Sequence, residues 1–141
     1  MIRIALADDH EKVREIWNLI LSAHPAFEVV VTCCNGQEAI DAASMYAPDL
    51  FIMDINMQPV NGIEATGIIT KLHPDIKVIG LSIHPEAVYM TRMLAAGAHG
   101  YVTKNSAYEE VIEAIMQVNA GQHYICREVQ QIMPGSLMTQ R

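Results

Sequence analysis

Polar side chains that could take part in catalysis or binding stand where four apolar runs of the sequence end. They are Asp8 and Asp9 after IRIALA (2–7), Asp54 at the end of DLFIMD (49–54), Ser82 at the end of IKVIGLS (76–82) and Lys104 at the end of GYVTK (100–104). Each has an ordinary explanation by itself, because aspartate is common at turns and most lysines are solvated. Their joint spacing argues instead for one shared site.

Three carboxylates at one site need a compensating positive charge. Two unit charges about 4 Å apart repel by roughly 4 kcal/mol at an effective dielectric constant of 20. A set of oxygen ligands on loops suits Mg²⁺, and a protonated Lys104 suits an ion pair with Asp54 or a phosphoryl oxygen. The combination indicates phosphoryl chemistry, with Asp54 as the nucleophile and with Mg²⁺, Lys104 and Ser82 acting on the transferred oxygens.

The elements that must position these residues alternate along the chain. The apolar runs, with FEVVVTC (27–33) as a further one, are mostly too continuous for half-exposed strands and predict a parallel sheet covered by helices. Five strands and five helices predict a doubly wound α/β fold with the flavodoxin-like order 2-1-3-4-5. In such sheets the ligand site lies beyond the carboxyl ends of the strands, where the polar residues above occur.

Helix boundaries are predicted from capping signals. Asn35 and Asn61 are predicted N-caps of the second and third helices. The Ser106-Ala-Tyr-Glu109 spacing predicts a capping box for the fifth helix, and Pro85 suits the first turn of the fourth. Gly67 weakens the prediction of the third helix, since an interior glycine costs about 1 kcal/mol relative to alanine.

Composition and length limit the classes of function. A chain of 141 residues makes one domain, predicted over 1–121, with 122–141 as a short helix and linker toward an output domain absent from this chain. A net charge of −7 argues against direct nucleic-acid binding, and no apolar run is long enough to span a membrane. Three cysteines, two of them adjacent, form no disulfide framework, which predicts a reduced, cytoplasmic protein.

The ordered set of residues at the predicted site resembles the receiver domain of two-component response regulators. The resemblance covers residues 1 to about 121, and LADDHEKVRE, LSIHPEAVYM and LAAGAHGYVTK are most similar to the NarL/FixJ subfamily, which usually carries a LuxR-type helix-turn-helix domain. The residues that carry it are Asp8-Asp9-His10, Asp54 with Met57 and Gly62, Leu81-Ser82, Gly97-Ala98 and Gly100-Tyr101-Val102-Thr103-Lys104.

The resemblance implies a phosphoacceptor site. Asp54 would accept a phosphoryl group from a sensor histidine kinase and later lose it to water. Asp9, Asp54 and the backbone carbonyl of Asn56 would bind Mg²⁺, and Asp8 would act largely through water. The domain would catalyse its own phosphoryl transfer and dephosphorylation, and it would not be an enzyme otherwise.

The resemblance also implies a conformational switch. Ser82 and Lys104 would contact the phosphoryl oxygens, and movement of Ser82 would let Tyr101 rotate inward. This would alter the surface of the fourth helix, fifth strand and fifth helix and thereby control transcription through the output domain. Asn56 and His84 correspond to variable positions that tune the lifetime of the phosphoryl group. Homodimers could form through the first and fifth helices or through the switch surface.

Two positions depart from the family pattern. Gln58 replaces the usual proline after the loop methionine, and Pro59 follows it, which predicts a reshaped loop. Asn105 follows Lys104 where many receivers have a cis proline, so either a trans or a strained cis bond is expected there. His10 is expected to be a surface or turn residue.

Two alternative functions remain at this stage. A Mg²⁺-dependent aspartyl-phosphate phosphohydrolase would need a second acid two residues after the nucleophile, where this chain has Asn56. A pseudo-receiver would fold without being phosphorylated and act as a docking module. The complete acidic set argues against the pseudo-receiver, and the altered Gln58-Pro59 loop argues for it.

Overall fold

The computed structural model describes residues 1–132 as alternating strands and helices. The predicted linker at the end of the chain lies outside these residues. The strands are β1 (Ile2–Ala7), β2 (Phe27–Cys33), β3 (Leu50–Asp54), β4 (Lys77–Ser82), β5 (Gly100–Thr103) and β6 (Tyr124–Ile125). The helices are α1 (Glu11–Ser22), α2 (Gly36–Tyr46), α3 (Gly62–Leu72), α4 (Ala87–Ala95), α5 (Tyr108–Asn119) and α6 (Arg127–Ile132).

The strands form one parallel sheet in the order β2-β1-β3-β4-β5-β6. The flavodoxin-like order of the first five strands is confirmed, whereas the count of five strands and five helices is wrong. Strand β6 and helix α6 are additional, and both lie in the segment predicted as a short helix and linker. A strand of two residues is too short to produce a hydrophobic period that can be recognised in a sequence.

The central strands are buried on both faces, as their uninterrupted apolar sequences predict. All five residues of β3 and all four of β5 are buried. Helix α1 contributes Trp17 and Leu21 to the core. The edge of Trp17 packs against the ring of Tyr108, with the ring centroids 5.7 Å apart, and this contact joins α1 to α5 on one face of the sheet.

Two of the predicted helix caps are present. The side chain of Asn35 accepts a hydrogen bond from the backbone N–H of Glu38 at the start of α2. Asn61 and Glu64 form a complete capping box at the start of α3. Helix α3 forms despite Gly67, because the cap and the buried face outweigh the cost of one glycine.

Two other predicted helix starts are wrong. Helix α5 begins at Tyr108 after Ala107, with no side-chain cap, and the Ser106 hydroxyl instead lies 3.4 Å from Thr103 Oγ1. Helix α4 begins at Ala87, so Pro85 precedes the helix and does not lie in its first turn. The spacing of residues in the sequence gives no sign that Ser106 contacts the Thr103 hydroxyl at the end of β5 instead of capping the helix.

A buried carboxylate joins the segment containing β6 and α6 to the rest of the domain. Glu110 in α5 is 7% exposed and accepts hydrogen bonds from the Tyr124 hydroxyl and the Arg127 backbone N–H, both at 2.8 Å. The Arg127 guanidinium lies 3.7 Å away. Charge-assisted bonds of this kind are about twice as strong as neutral ones. The segment is therefore an integral part of the domain.

Replacing Glu110 by alanine is expected to destabilise the protein by about 2–3 kcal/mol, because the buried Tyr124 hydroxyl would lose its charged partner. Glu113→Ala is the matched control, since Glu113 also lies 3.3 Å from Arg127 but is 42% exposed in its side chain. That change should cost less than about 1 kcal/mol. Urea unfolding of both variants measures the difference, and equal losses would contradict the assigned role of Glu110.

Candidate functional site

The strand-end residues meet at the carboxyl edge of the sheet. Asp8 follows β1, Asp54 ends β3 and Lys104 follows β5. The Lys104 Nζ atom lies 3.0 Å from Asp8 Oδ2 and 3.6 Å from Asp54 Oδ2. Asp8 and Asp54 are 0% and 1% exposed, so one ammonium group contacts two buried carboxylates. The structure brings together the residues that the sequence pattern placed at one edge.

The loop after β3 folds back onto the end of its own strand. The Gly62 N–H donates to the Ile55 carbonyl at 3.1 Å, and a Cβ atom on Gly62 would lie only 2.1 Å from the Asp54 carbonyl oxygen. Only glycine allows this approach without displacing the backbone. The turn lets the Asn56 N–H donate to Asp54 Oδ1 at 3.2 Å, which orients the carboxylate.

The turn after β1 holds a second part of the site. Asp8 Oδ1 accepts a hydrogen bond from the His10 N–H at 2.8 Å, and the Arg14 guanidinium donates to the Asp8 carbonyl at 2.8 Å. The His10 Nδ1 atom lies 3.3 Å from Asp8 Oδ1 and 3.0 Å from Asp9 Oδ1. His10 therefore lies beside the acidic cluster, and its side chain is 64% exposed in the turn after β1, as predicted for a surface or turn residue. Its neighbours Asp8 and Asp9 were the only signal for this placement.

Burial and like charges act on the Asp54 carboxyl group. Burial, followed by repulsion from Asp8, raises the pKa of Asp54 to about 6. The Asn56 N–H and the Lys104 ammonium group oppose this rise in pKa and are outweighed. Such a shift is common at functional sites because it follows from gathering like charges in a dry environment.

The residues fit a divalent cation. Asp8 Oδ2 and Asp54 Oδ2 are buried and make no hydrogen bond with any of the residues described. Asp8, Asp9 and Asp54 carry three negative charges, and Lys104 carries one positive charge, which leaves an excess of two. Asp9 and Asn56 also line a cavity of about 610 Å³ that opens to solvent and would admit an ion with its waters.

Ser82 and Tyr101 lie beside this cluster but already make contacts with the loop after β4. The Ser82 hydroxyl accepts a hydrogen bond from the His84 N–H at 2.9 Å, and the Tyr101 hydroxyl donates to the His84 carbonyl at 2.6 Å. Tyr101 is fully buried and packs over Gly80, where a Cβ atom would lie 3.1 Å from its ring. Burial raises the pKa of Tyr101 to about 12. The tyrosine therefore points inward in this conformation.

His84 lies at the rim of the site. Its ring stacks on Tyr89 of α4 with the centroids 4.2 Å apart, and its side chain is 29% exposed. The altered loop has a cis peptide bond at Gln58-Pro59 and lines the same cavity as Asn56. The bond between Lys104 and Asn105 is trans, which settles the alternative that the sequence left open.

With this fold and this site, the chain belongs to the response regulator receiver domain family. Residues 4–116 match the family model described as "Response regulator receiver domain". The match includes the residues from β1 to β5 that form the site, and it ends before β6.

Curated relatives agree with this assignment. The transcriptional regulatory protein DegU of Brevibacillus brevis is 43% identical over 124 residues, which are 88% of this chain and 52% of DegU. The response regulator UvrY of Escherichia coli K12 is 37% identical over 133 residues, which are 94% of this chain and 61% of UvrY. The chain thus spans between half and two thirds of the length of these relatives.

Solved structures have the same fold. A two-component response regulator of the LuxR family from Aurantimonas sp. SI85-9A1 superimposes with a TM-score of 0.88 at 31% identity, covering 92% of each chain. A DNA-binding response regulator of the LuxR family from Staphylococcus aureus gives a TM-score of 0.80 at 28% identity, covering 84% of this chain and 99% of that one.

Asp54→Asn is expected to stabilise the metal-free protein at neutral pH. The pKa of Asp54, about 6 when folded against 3.8 ordinarily, means that the folded state binds this proton more tightly than the unfolded state. Stability is therefore lost as the pH rises from about 4 through 6, by up to about 3 kcal/mol for two pKa units. The gain for Asp54→Asn should be largest at pH 7 and should shrink toward pH 4.

Urea unfolding in EDTA at several pH values measures this effect. Asp75→Asn is the control, because Asp75 is an exposed aspartate at the opposite edge of the sheet. A stability difference between Asp54→Asn and wild type that does not change with pH would refute the raised pKa. In the presence of Mg²⁺, wild type should be more stable than Asp54→Asn, because the added cation compensates the charge of the Asp54 carboxylate.

Proposed function

We propose that this domain accepts a phosphoryl group on Asp54 from a sensor histidine kinase in the cytoplasm. Phosphorylation thereby controls dimerisation of the protein and, through an output domain, transcription. The observation that carries the proposal is the buried Asp54 carboxylate, 1% exposed and 3.6 Å from the Lys104 Nζ atom, at the open edge of an acidic cluster. The relatives that are named as regulators of transcription or as response regulators support the wider role. A DNA-binding output domain would act on the DNA.

Phosphoryl transfer would require little movement of the site. One Asp54 oxygen forms a bond to phosphorus while the bond from phosphorus to the kinase histidine breaks, and its electron pair returns to the imidazole nitrogen. Lys104 and Ser82 contact the phosphoryl oxygens. The Asn56 N–H keeps the carboxylate oriented. Preorganised charges of this kind account for most of the catalysis in phosphoryl transfer.

A bound Mg²⁺ supplies positive charge that offsets the developing charge on the phosphoryl oxygens. Asp9, Asp54 and the Asn56 carbonyl would hold it, and Asp8 would act through water. In the later hydrolysis, a water oxygen forms a bond to phosphorus while the phosphorus–oxygen bond to Asp54 breaks. The electron pair of that bond returns to the Asp54 carboxylate, and inorganic phosphate leaves with the protons of the water. We assign to His84 and Asn56, which are both polar, the ordering or obstruction of that water and hence the tuning of the phosphoryl lifetime.

Asp54 alone is expected to become phosphorylated when the protein is incubated with acetyl phosphate and Mg²⁺. Intact mass should show one added phosphoryl group in wild type and in the Asp75→Asn control, and none in Asp54→Asn or in EDTA. If wild type gains no phosphoryl group and also fails to bind beryllofluoride with Mg²⁺, the domain is a pseudo-receiver and the proposal is wrong.

We further propose that the phosphorylated protein pairs through a surface formed by α1 and α5. Tyr108, Ile112 and Met116 follow the i, i+4, i+8 spacing along α5, and Tyr108 and Met116 are 53% and 45% exposed. On α1, Ile16 is 51% exposed. Arg14 of α1 lines a small cavity together with Thr32 of β2, so that side of α1 faces β2. Ile16 lies on the opposite side of the helix, which faces α5.

The alternative surface of α4, β5 and α5 is partly covered. Strand β6 pairs with the edge of β5 in the register Gly100↔Tyr124 and Tyr101↔Ile125. A partner could not contact that edge without displacing residues that are fixed by Glu110. This coverage favours the surface of α1 and α5.

Ile16→Lys is expected to prevent dimer formation in beryllofluoride and Mg²⁺, because a charge would be buried at the proposed interface. Ile68→Lys is the matched control, since Ile68 is 42% exposed on α3, on the other face of the sheet. Sedimentation velocity measures both masses. The proposed surface would be wrong if Ile16→Lys formed dimers as readily as Ile68→Lys.

A further inference from the structure

We propose that the cavity between the loop after β3 and helix α4 binds the carrier group of small acyl phosphates, and that Arg92 recognises the carboxylate that leaves when such a donor phosphorylates Asp54. This inference rests on the proposed function, because it concerns a donor of the same phosphoryl group. It assigns to the domain a preference among small phosphodonors that is separate from its response to a kinase.

The cavity lies beside the phosphoacceptor site. Asp9 and Asn56, which belong to that site, line the cavity together with Tyr89 and Arg92 of α4. Its volume of about 610 Å³ falls within the range of roughly 300–1,000 Å³ that is typical of small-molecule sites, and it opens to solvent. A small molecule can therefore enter the cavity from solvent and reach the edge of the acidic cluster.

The direction of phosphoryl transfer places the carrier on the open side of the site. Asp54 is 1% exposed, so its attacking oxygen approaches phosphorus from the interior of the protein. The attacking and leaving oxygens lie roughly in line on either side of phosphorus. The leaving oxygen of a donor therefore points away from Asp54 and toward solvent, on the side where the cavity borders the site.

Arg92 is an available cation in this cavity. It carries the only positive charge among the residues that line the cavity, whereas Asp9 carries the only negative one. Within residues 1–132 Arg92 takes part in none of the ion pairs, unlike Lys104 and Arg127. Its place in the last turn of α4 suits the helix dipole, which the guanidinium can satisfy while it contacts a ligand.

The chemistry of the leaving group decides which donors Arg92 favours. With an acyl phosphate, an Asp54 oxygen forms a bond to phosphorus while the bond from phosphorus to the acyl oxygen breaks, and the electron pair of that bond leaves with a carboxylate. The planar guanidinium matches a carboxylate through two parallel hydrogen bonds. Because negative charge on the leaving oxygens grows during the reaction, this contact strengthens in the transition state and raises the rate.

Phosphoramidate is the contrasting donor. Its nitrogen is protonated at neutral pH, and it leaves as ammonia with the electron pair of the broken phosphorus–nitrogen bond. Arg92 offers this group no hydrogen-bond acceptor and repels its positive charge. The ratio of the phosphorylation rates with acetyl phosphate and with phosphoramidate therefore reports the contact with the carrier, because any attraction of Arg92 for the phosphoryl group acts on both donors.

The test measures phosphorylation of Asp54 by intact mass over a range of acetyl phosphate and phosphoramidate concentrations with Mg²⁺. Arg92→Gln should lower the rate ratio by about five- to tenfold, because a charged contact that is open to solvent is lost. Arg92→Lys should retain part of the preference, since it keeps the charge without the planar fork. Lys71→Gln is the matched control, because Lys71 is an exposed cation in the last turn of α3 and does not line the cavity.

Binding of beryllofluoride with Mg²⁺ is a readout without a carrier group. Its affinity, measured by calorimetry, should be the same in wild type and in Arg92→Gln. A rate ratio that is unchanged in Arg92→Gln, or that falls equally in Lys71→Gln, would overturn the inference. A loss of beryllofluoride affinity would also overturn it, since Arg92 would then act on the phosphoryl group or the fold.

The phosphoacceptor function would stand in all of these cases. Failure of wild type to react with either donor and to bind beryllofluoride would instead refute both the proposed function and this inference.

Discussion

Two buried carboxylates beside one lysine are the constraint on which the rest of the site depends. Asp8 and Asp54 are almost fully buried, and the Lys104 ammonium group contacts both. Isolated buried charges are costly, and one cation cannot neutralise two carboxylates with Asp9 at the rim. The raised pKa of Asp54 is the result of this imbalance. A receiver site therefore holds unfavourable electrostatic energy until a cation is added, and an added phosphoryl group would increase the need for cations.

The strand order brings these charged groups together and also sets the distances that their side chains must bridge. Asp8 and Asp54 end on neighbouring strands, whereas Lys104 follows β5, two strands from β3. Neighbouring strands are about 4.8 Å apart, so the side chains of Lys104 and Asp54 together must bridge nearly 10 Å across β4. Ser82 ends β4 between them, and its side chain is small. A long flexible cation and a small hydroxyl are thus required by the topology as well as by the chemistry.

The sequence predicted strands and helix starts correctly where a residue type has a single physical reason to occur at its position. Continuous apolar runs ending in polar residues predicted the central strands and the carboxyl edge, and Asn35 and Asn61 predicted their helix starts correctly. Features that depend on tertiary contacts were missed: β6 is too short to show a period, and the place of Ser106 depends on Thr103. His10 is mostly exposed, as predicted, and its contact with Asp8 depends on the turn after β1.

Strand β5 is where the site and the segment containing β6 and α6 meet. Lys104, just after the strand, contacts the carboxylates, while the Thr103 hydroxyl donates to Glu128 of α6. Neighbouring residues in a strand point to opposite sides, so these two contacts hold the end of β5 from both sides. Tyr101 adds a third contact, because its backbone carbonyl accepts a hydrogen bond from Cys126 and its hydroxyl bonds to the His84 carbonyl. The strand that positions Lys104 is therefore held in part by residues 124–132, which lie beyond the residues 4–116 that match the family model.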